Sequence, residues 1–370
     1  MRKSLLAAAV STVALTNVAL AEVPSVAVDI PPVYALVAKV MEGVGTPDLI
    51  VQQGATPHGY SLRPAEAEAL QRANIVFWIG EPLEPWLHRS IESLAADARS
   101  VELMETEGTT ELEFRQGTTF EKHGHAHDDE DHEAEGHDHD DEAHKEHDHD
   151  HEAGEDHDHE AHEKHDHDHE ADKDHDHEAH EKHDHDHDRE AHDEHDHDHH
   201  GHDTHAWLDP ENASVWLDVI AADLAALDPE HADTYAANAA EGKAELKALI
   251  DEVNTEVEAI RGKNFIVFHD AYQYFENRFG LSAAGSIRLG DATDPSPARI
   301  AEIREKVADL NVSCVFSEPQ FNAGLVQTVF EGTDAKVGVL DPLGSDLPLG
   351  PDLYPQLIRN LAHTLTSCLK

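Results

Sequence analysis

Short, nearly unbroken apolar runs alternate along this chain with longer segments whose apolar residues recur every three or four positions. Val26-Ala27-Val28-Asp29-Ile30 reads as a short strand, Leu49-Ile50-Val51 and Ile75-Val76-Phe77-Trp78-Ile79 read as buried strands, and a further strand is expected near 99–103. The stretches after Pro31-Pro32, over 64–73 and over 82–97 read as the helices between them. The same alternation resumes after residue 263, with strands expected over 264–268, 283–288, 313–317 and 336–340 and helices near 271–279, 297–309, 322–331 and 353–369. Strands and helices of this length in alternation indicate parallel βαβ units, so the chain is of the α/β class with two lobes.

Between the two sets lies helical sequence. A helix over 210–227 is followed by Asp228-Pro229, an N-cap residue with proline at the first helical position. Tyr235, Ala239, Gly242, Leu246, Leu249, Val253, Val257 and Ile260 then fall on one face of a helix of about 30 residues, ended by Gly262. Two lobes joined by such a helix leave a cleft between them, where small ligands bind.

Residues 121–203 break the pattern. They contain only His, Asp, Glu, Lys, Arg, Ala and Gly, and Glu160-Ala-His-Glu-Lys-His-Asp-His-Asp-His169 recurs unchanged over 178–187. With no apolar side chain larger than alanine, the segment cannot offset the entropy of ordering and is expected to be disordered. Its 37 acidic and 6 basic residues give it −31 of the total charge of −52. A chain this acidic repels nucleic acid and anionic membranes and attracts cations. The segment's 28 histidines can wrap divalent ions with carboxylate help. His165, His167, His169, His183, His185 and His187, in the two copies of the repeat, are the auxiliary metal ligands expected there. A solvated acidic spacer is the plainer alternative.

The ends of the chain set the compartment. Arg2-Lys3, an apolar stretch to about Val18 and Ala19-Leu20-Ala21 form a secretory signal with its cleavage site. No segment is long and apolar enough to span a membrane. The two cysteines, Cys314 and Cys368, form either one disulfide, as an even pair in an exported chain suggests, or two buried thiols.

Six histidines lie outside the insertion, and three of them sit in suggestive places. His58 follows the run at 49–51, His205 precedes the helix at 210, and His269 ends the strand at 264–268; Asp341 follows the strand at 336–340. Ligands of open α/β sheets bind at the carboxyl ends of strands. Three imidazoles and a carboxylate suit tetrahedral zinc, whereas manganese prefers more oxygen. His88, His231 and His363 read as residues of helix surfaces.

Pro57-His58-Gly59-Tyr60-Ser61-Leu62-Arg63-Pro64, His205-Ala206-Trp207-Leu208-Asp209-Pro210, Phe268-His269-Asp270-Ala271-Tyr272 and Leu340-Asp341-Pro342-Leu343-Gly344 resemble, in order, the cluster A-I metal-binding proteins of bacterial ABC importers, and among them the zinc-specific ZnuA type. Ser317-Glu318-Pro319-Gln320-Phe321 and Ser367-Cys368-Leu369-Lys370 match too, and the insertion matches in position and composition. The resemblance implies two (β/α)4 lobes with parallel sheets, a rigid linking helix and zinc held between the lobes. His58, His205 and His269 are then its ligands. Pro57 stands where some zinc-type members carry an acidic residue, which leaves Asp341 or water as the fourth. The resemblance also implies a Cys314–Cys368 disulfide. Manganese-type relatives carry Glu in place of His269.

The expectation is thus a monomeric periplasmic subunit that captures Zn2+ and delivers it to a membrane permease with its cytoplasmic ATPase, the insertion gathering or sensing zinc. Its expected divisions are a signal peptide over 1–21, an N-terminal lobe over 22–227, a linking helix over 228–262 and a C-terminal lobe over 263–370. A zinc buffer or chaperone without a transporter is one alternative. A zinc hydrolase using Glu318 or Asp270 as base is another, but the chain has no His-Glu-x-x-His or Gly-x-Ser-x-Gly motif, and an enzyme is not expected.

Overall fold

The computed structural model describes residues 23–115, 120, 201–288, 296–321 and 323–370. The expected signal peptide and the insertion histidines His165, His167, His169, His183, His185 and His187 lie outside these residues.

Two parallel four-stranded sheets share one strand order. In the first, β1 (Val26–Val28), β2 (Asp48–Leu49), β3 (Ile75–Trp78) and β4 (Arg99–Glu102) lie in the order β2-β1-β3-β4. In the second, β5 (Phe265–His269), β6 (Gly285–Arg288), β7 (Cys314–Ser317) and β8 (Lys336–Val339) lie in the order β6-β5-β7-β8. The inner strands β1, β3, β5 and β7 are buried at every residue, which is why they read as continuous apolar runs. The edge strands β4 and β8 are largely exposed.

Helices α1 (Pro31–Val40), α2 (Pro64–Arg72) and α3 (Pro85–Leu94) connect the first sheet. After α4 (Pro210–Leu227) and α5 (Ala232–Val257), α6 (Gln273–Phe279), α7 (Pro297–Asp309), α8 (Ala323–Phe330) and α9 (Leu353–Leu369) accompany the second. Helices α1, α2, α3, α4 and α7 each have proline in the first turn, where its fixed φ suits the helix and its missing N–H costs nothing.

Helix α5 starts later than the sequence suggests. Asp228 does not cap it: the residue closes α4, and its buried carboxylate accepts the Tyr235 hydroxyl at 2.9 Å and lies 2.6 Å from Nδ1 of His231. The N-cap is His231, which is therefore an elbow residue rather than one on a helix surface. The expected apolar face is buried as a whole, from Tyr235 to Val257, and a 3-10 turn at Glu258–Ile260 finishes it before Gly262 at φ +77°. Gly242 lets α5 approach closely, since a Cβ there would meet Leu217 Cδ1 at 2.9 Å and Lys39 at 3.2 Å.

Cys314, at the start of β7, is joined to Cys368 near the end of α9, with Cα atoms 6.0 Å apart. The bridge lies at the amino end of β7, opposite the carboxyl ends where the candidate ligands sit. No described helix is long and apolar enough to cross a membrane.

Candidate metal centre

His58 comes from the irregular segment between β2 and α2. Its backbone is held from α3, where Nε1 of Trp86 donates to the carbonyl oxygen of Pro57 at 2.7 Å. His205 precedes a short 3-10 helix, Ala206–Leu208, which is anchored across the cleft: Trp207 Nε1 donates to Pro342 O at 2.8 Å, and the Tyr354 hydroxyl donates to Trp207 O at 2.7 Å. His269 is the last residue of β5.

These three side chains converge. One ring nitrogen from each lies within 4.8 Å of the others, and they form the sole such group of three metal-ligating side chains among the described residues. Nε2 of His205 and Nε2 of His269 are 3.3 Å apart, and both rings are buried. The Nδ1 atoms of these two rings are occupied: that of His205 lies 2.7 Å from Asp203 Oδ1, and that of His269 lies 2.8 Å from Glu318 Oε1. A carboxylate on Nδ1 fixes the ring and turns the Nε2 lone pair inward, as in metal sites generally. Burial, with the charges of Glu318 and Asp341 nearby, pushes the Tyr272 phenol well above its ordinary value, so it stays a donor. Around the rings, Trp207, Phe321 and Leu343 line a cavity of about 10 Å³, room for one small occupant.

The chain as a whole now compares closely with known sequences. A family described as "Zinc-uptake complex component A periplasmic" matches residues 26–368. The chain belongs to this family. A high-affinity zinc uptake system protein ZnuA of Brucella abortus (strain 2308) is 48% identical over 345 residues, covering 93% of this chain and 91% of the relative. Its counterpart in Paracoccus denitrificans (strain Pd 1222) is 40% identical over 365 residues, covering 98% and 97%. Among solved structures, a crystal structure of ZnuA superposes with a TM-score of 0.65 at 20% identity, covering 94% of this chain and all of the other.

In this member of the family, Asp341 is not one of the converging group. Its carboxylate accepts from Gln320 Nε2 at 2.9 Å, from the Leu343 N–H at 3.0 Å and from the Ser345 N–H. Asp270 is taken up too, by an ion pair with Arg115; burial raises it to about 6 while Arg115 opposes the rise.

Asp203 corrects the expected limits of the insertion. By composition it belongs to the histidine-rich segment, yet it is 1% exposed, and besides His205 Nδ1 its Oδ1 accepts the His205 N–H at 3.0 Å. Residues 201–203 are part of the folded lobe. The one available signal was an Asp two positions before His205, inside a tract where 37 of 83 residues are acidic.

Proposed function

We propose that this chain captures zinc in the periplasm and hands it to the membrane part of an importer, with His58, His205 and His269 as the ligands. The observation that supports this is the convergence of three imidazole nitrogens, two of them aimed by buried carboxylates. Three nitrogen donors favour zinc over manganese, which takes more oxygen. The fourth ligand is Asp341 or water.

Membership in a zinc-uptake family and relatives named for high-affinity zinc uptake point the same way. The chain carries no Gly-x-x-x-x-Gly-Lys-[Ser/Thr] sequence, so a partner ATPase supplies the energy to a permease. Cleavage after Ala21 frees a monomeric binding protein of two lobes, over 22–227 and 263–370, joined by 228–262. The insertion histidines gather further zinc at lower affinity.

The test is titration with zinc and with manganese, in competition with a chelator, of the mature chain and of a variant lacking 121–200. Retaining 201–203 keeps Asp203 in place. One tight zinc site that survives the deletion and rejects manganese is the expected result. Loss of all tight binding on deletion would place the site in the insertion and overturn the assignment.

A further inference from the structure

The two ends of the insertion are braced against the metal centre. Residues 111–115 lead into it and 201–203 lead out, and they pair antiparallel: Glu113 bridges His202, the Phe114 N–H donates to Gly201 O at 3.2 Å, and the Asp203 N–H donates to Leu112 O at 2.7 Å. Tyr274 of α6 clasps both strands, its hydroxyl accepting from the Leu112 N–H at 3.0 Å and donating to Asp203 O at 2.8 Å. Arg115 ends the entering strand. Its guanidinium donates through Nε to Asp270 Oδ2 at 3.0 Å and through Nη1 to Glu276 Oε2 at 2.7 Å, while Nη2 reaches both carboxylates. Phe120 covers the guanidinium face at 3.7 Å.

We propose that Arg115 is a positioning residue for the metal centre: by pinning the entering strand to Asp270 and to α6, it holds the paired exit strand and so fixes Asp203 against His205. The proposal rests on the reading that the three histidines hold the ion. Asp203 is restrained at three points, its N–H by Leu112, its carbonyl by Tyr274 and its carboxylate by His205; the first belongs to the strand that Arg115 anchors, and the second comes from α6, to which Arg115 fastens that strand through Glu276. A guanidinium suits the task because its planar fork satisfies two carboxylates at once, which an ammonium cannot do with the same geometry. Glu276 fastens the anchor further, since Oε2 also accepts the Ala283 N–H at 2.9 Å. His269 is held separately, by Glu318, so Arg115 acts on one of the two buried ligands.

A double-mutant cycle on the full mature chain tests this, with zinc affinity measured by chelator competition and ligand geometry by the visible absorption of the protein loaded with one equivalent of cobalt(II). Arg115→Met is expected to weaken zinc about tenfold and to shift the cobalt spectrum, as loss of an outer partner does. In an Asp203→Ala background it should weaken zinc by no more than about twofold further, because its route is already cut, whereas with Glu318→Gln the effects should add. Should Arg115→Met fail to fold, Tyr274→Phe takes its place in the same cycle, with the same pattern expected at smaller size. A tight site in the wild type with affinity unchanged by the substitution, or effects additive with Asp203→Ala, overturns the proposal. A wild type with no tight zinc site overturns the function reading first.

Discussion

Nε2 of His205 faces Nε2 of His269 at 3.3 Å. With carboxylates on both Nδ1 atoms, two lone pairs would meet at that distance, and the repulsion is relieved by a proton or by a cation between them. Zinc therefore replaces protons on entry. Zinc affinity is expected to fall as pH falls, because protons compete with the ion for the ring nitrogens. Calorimetry in buffers of different ionisation enthalpy checks the point, and a binding heat independent of the buffer would contradict it.

Glu318 holds His269 through Nδ1 and also lies 3.3 Å from its backbone N–H. Glu318→Gln keeps the shape but removes the charge that makes the ring a stronger donor. The expected loss in zinc affinity is about 10- to 100-fold, with the fold intact. A variant that matches the wild type in chelator competition would assign Glu318 a purely structural role.

A hydrogen bond from Trp86 to the Pro57 carbonyl ties α3 to the segment bearing His58. Trp86→Phe keeps the ring packing against Tyr60 and deletes the donor, a change of about 1 kcal/mol. Zinc should then dissociate roughly fivefold faster. Stopped-flow transfer to a chelator reads this rate, and an unchanged rate would mean that the segment needs no such restraint.

Asp29, just after β1, and Glu84, the N-cap of α3, are fully buried carboxyls. Asp29 accepts the Ile30 and Ile79 N–H groups at 2.7 and 2.6 Å, so the proton that joins the pair is carried by Glu84. Burial raises Asp29 to about 7, and burial together with the Asp29 charge raises Glu84 well above its ordinary value. The folded chain thus keeps protons that the unfolded chain releases near pH 4. Stability from this pair is full below about pH 4, declines as pH rises, and is lost through pH 7 and above. Glu84→Gln supplies a permanent donor. Its Tm relative to the wild type should climb between pH 5 and pH 8 by on the order of 5 °C, and parallel Tm curves across that range would rule this out.

The disulfide closes a loop between residues 54 apart, far from the metal centre. The double substitution Cys314→Ala and Cys368→Ala is expected to cost about 4 kcal/mol, or roughly 10 °C in Tm, while zinc affinity in the folded protein is unchanged. Differential scanning calorimetry with and without reductant gives the first quantity, and chelator competition gives the second.

The strands were legible because the inner ones are buried on both faces and so spell continuous apolar runs, as at Ile75–Trp78 and Phe265–His269. The face of α5 was legible because one side of it is buried along its whole length. Its start was not. Asp228-Pro229 has the local chemistry of a helix cap, and Tyr235 and His231 claim the Asp228 carboxylate for the elbow instead.

The sequence by itself determined the α/β class, the family motifs, the position of the insertion and the three histidines, since each follows from local pattern or from residues in a short motif. Only the tertiary structure decided which carboxylates serve those histidines. Asp203 sits in a tract of acidic residues that local reading cannot separate, and Glu318 lies 49 residues beyond His269. Asp341 stands in its motif, but that its carboxylate accepts from Gln320, Leu343 and Ser345 is visible only in the fold. A ligand is named by its side chain, but its orientation is set by partners brought together through packing, and packing joins residues that the chain keeps apart.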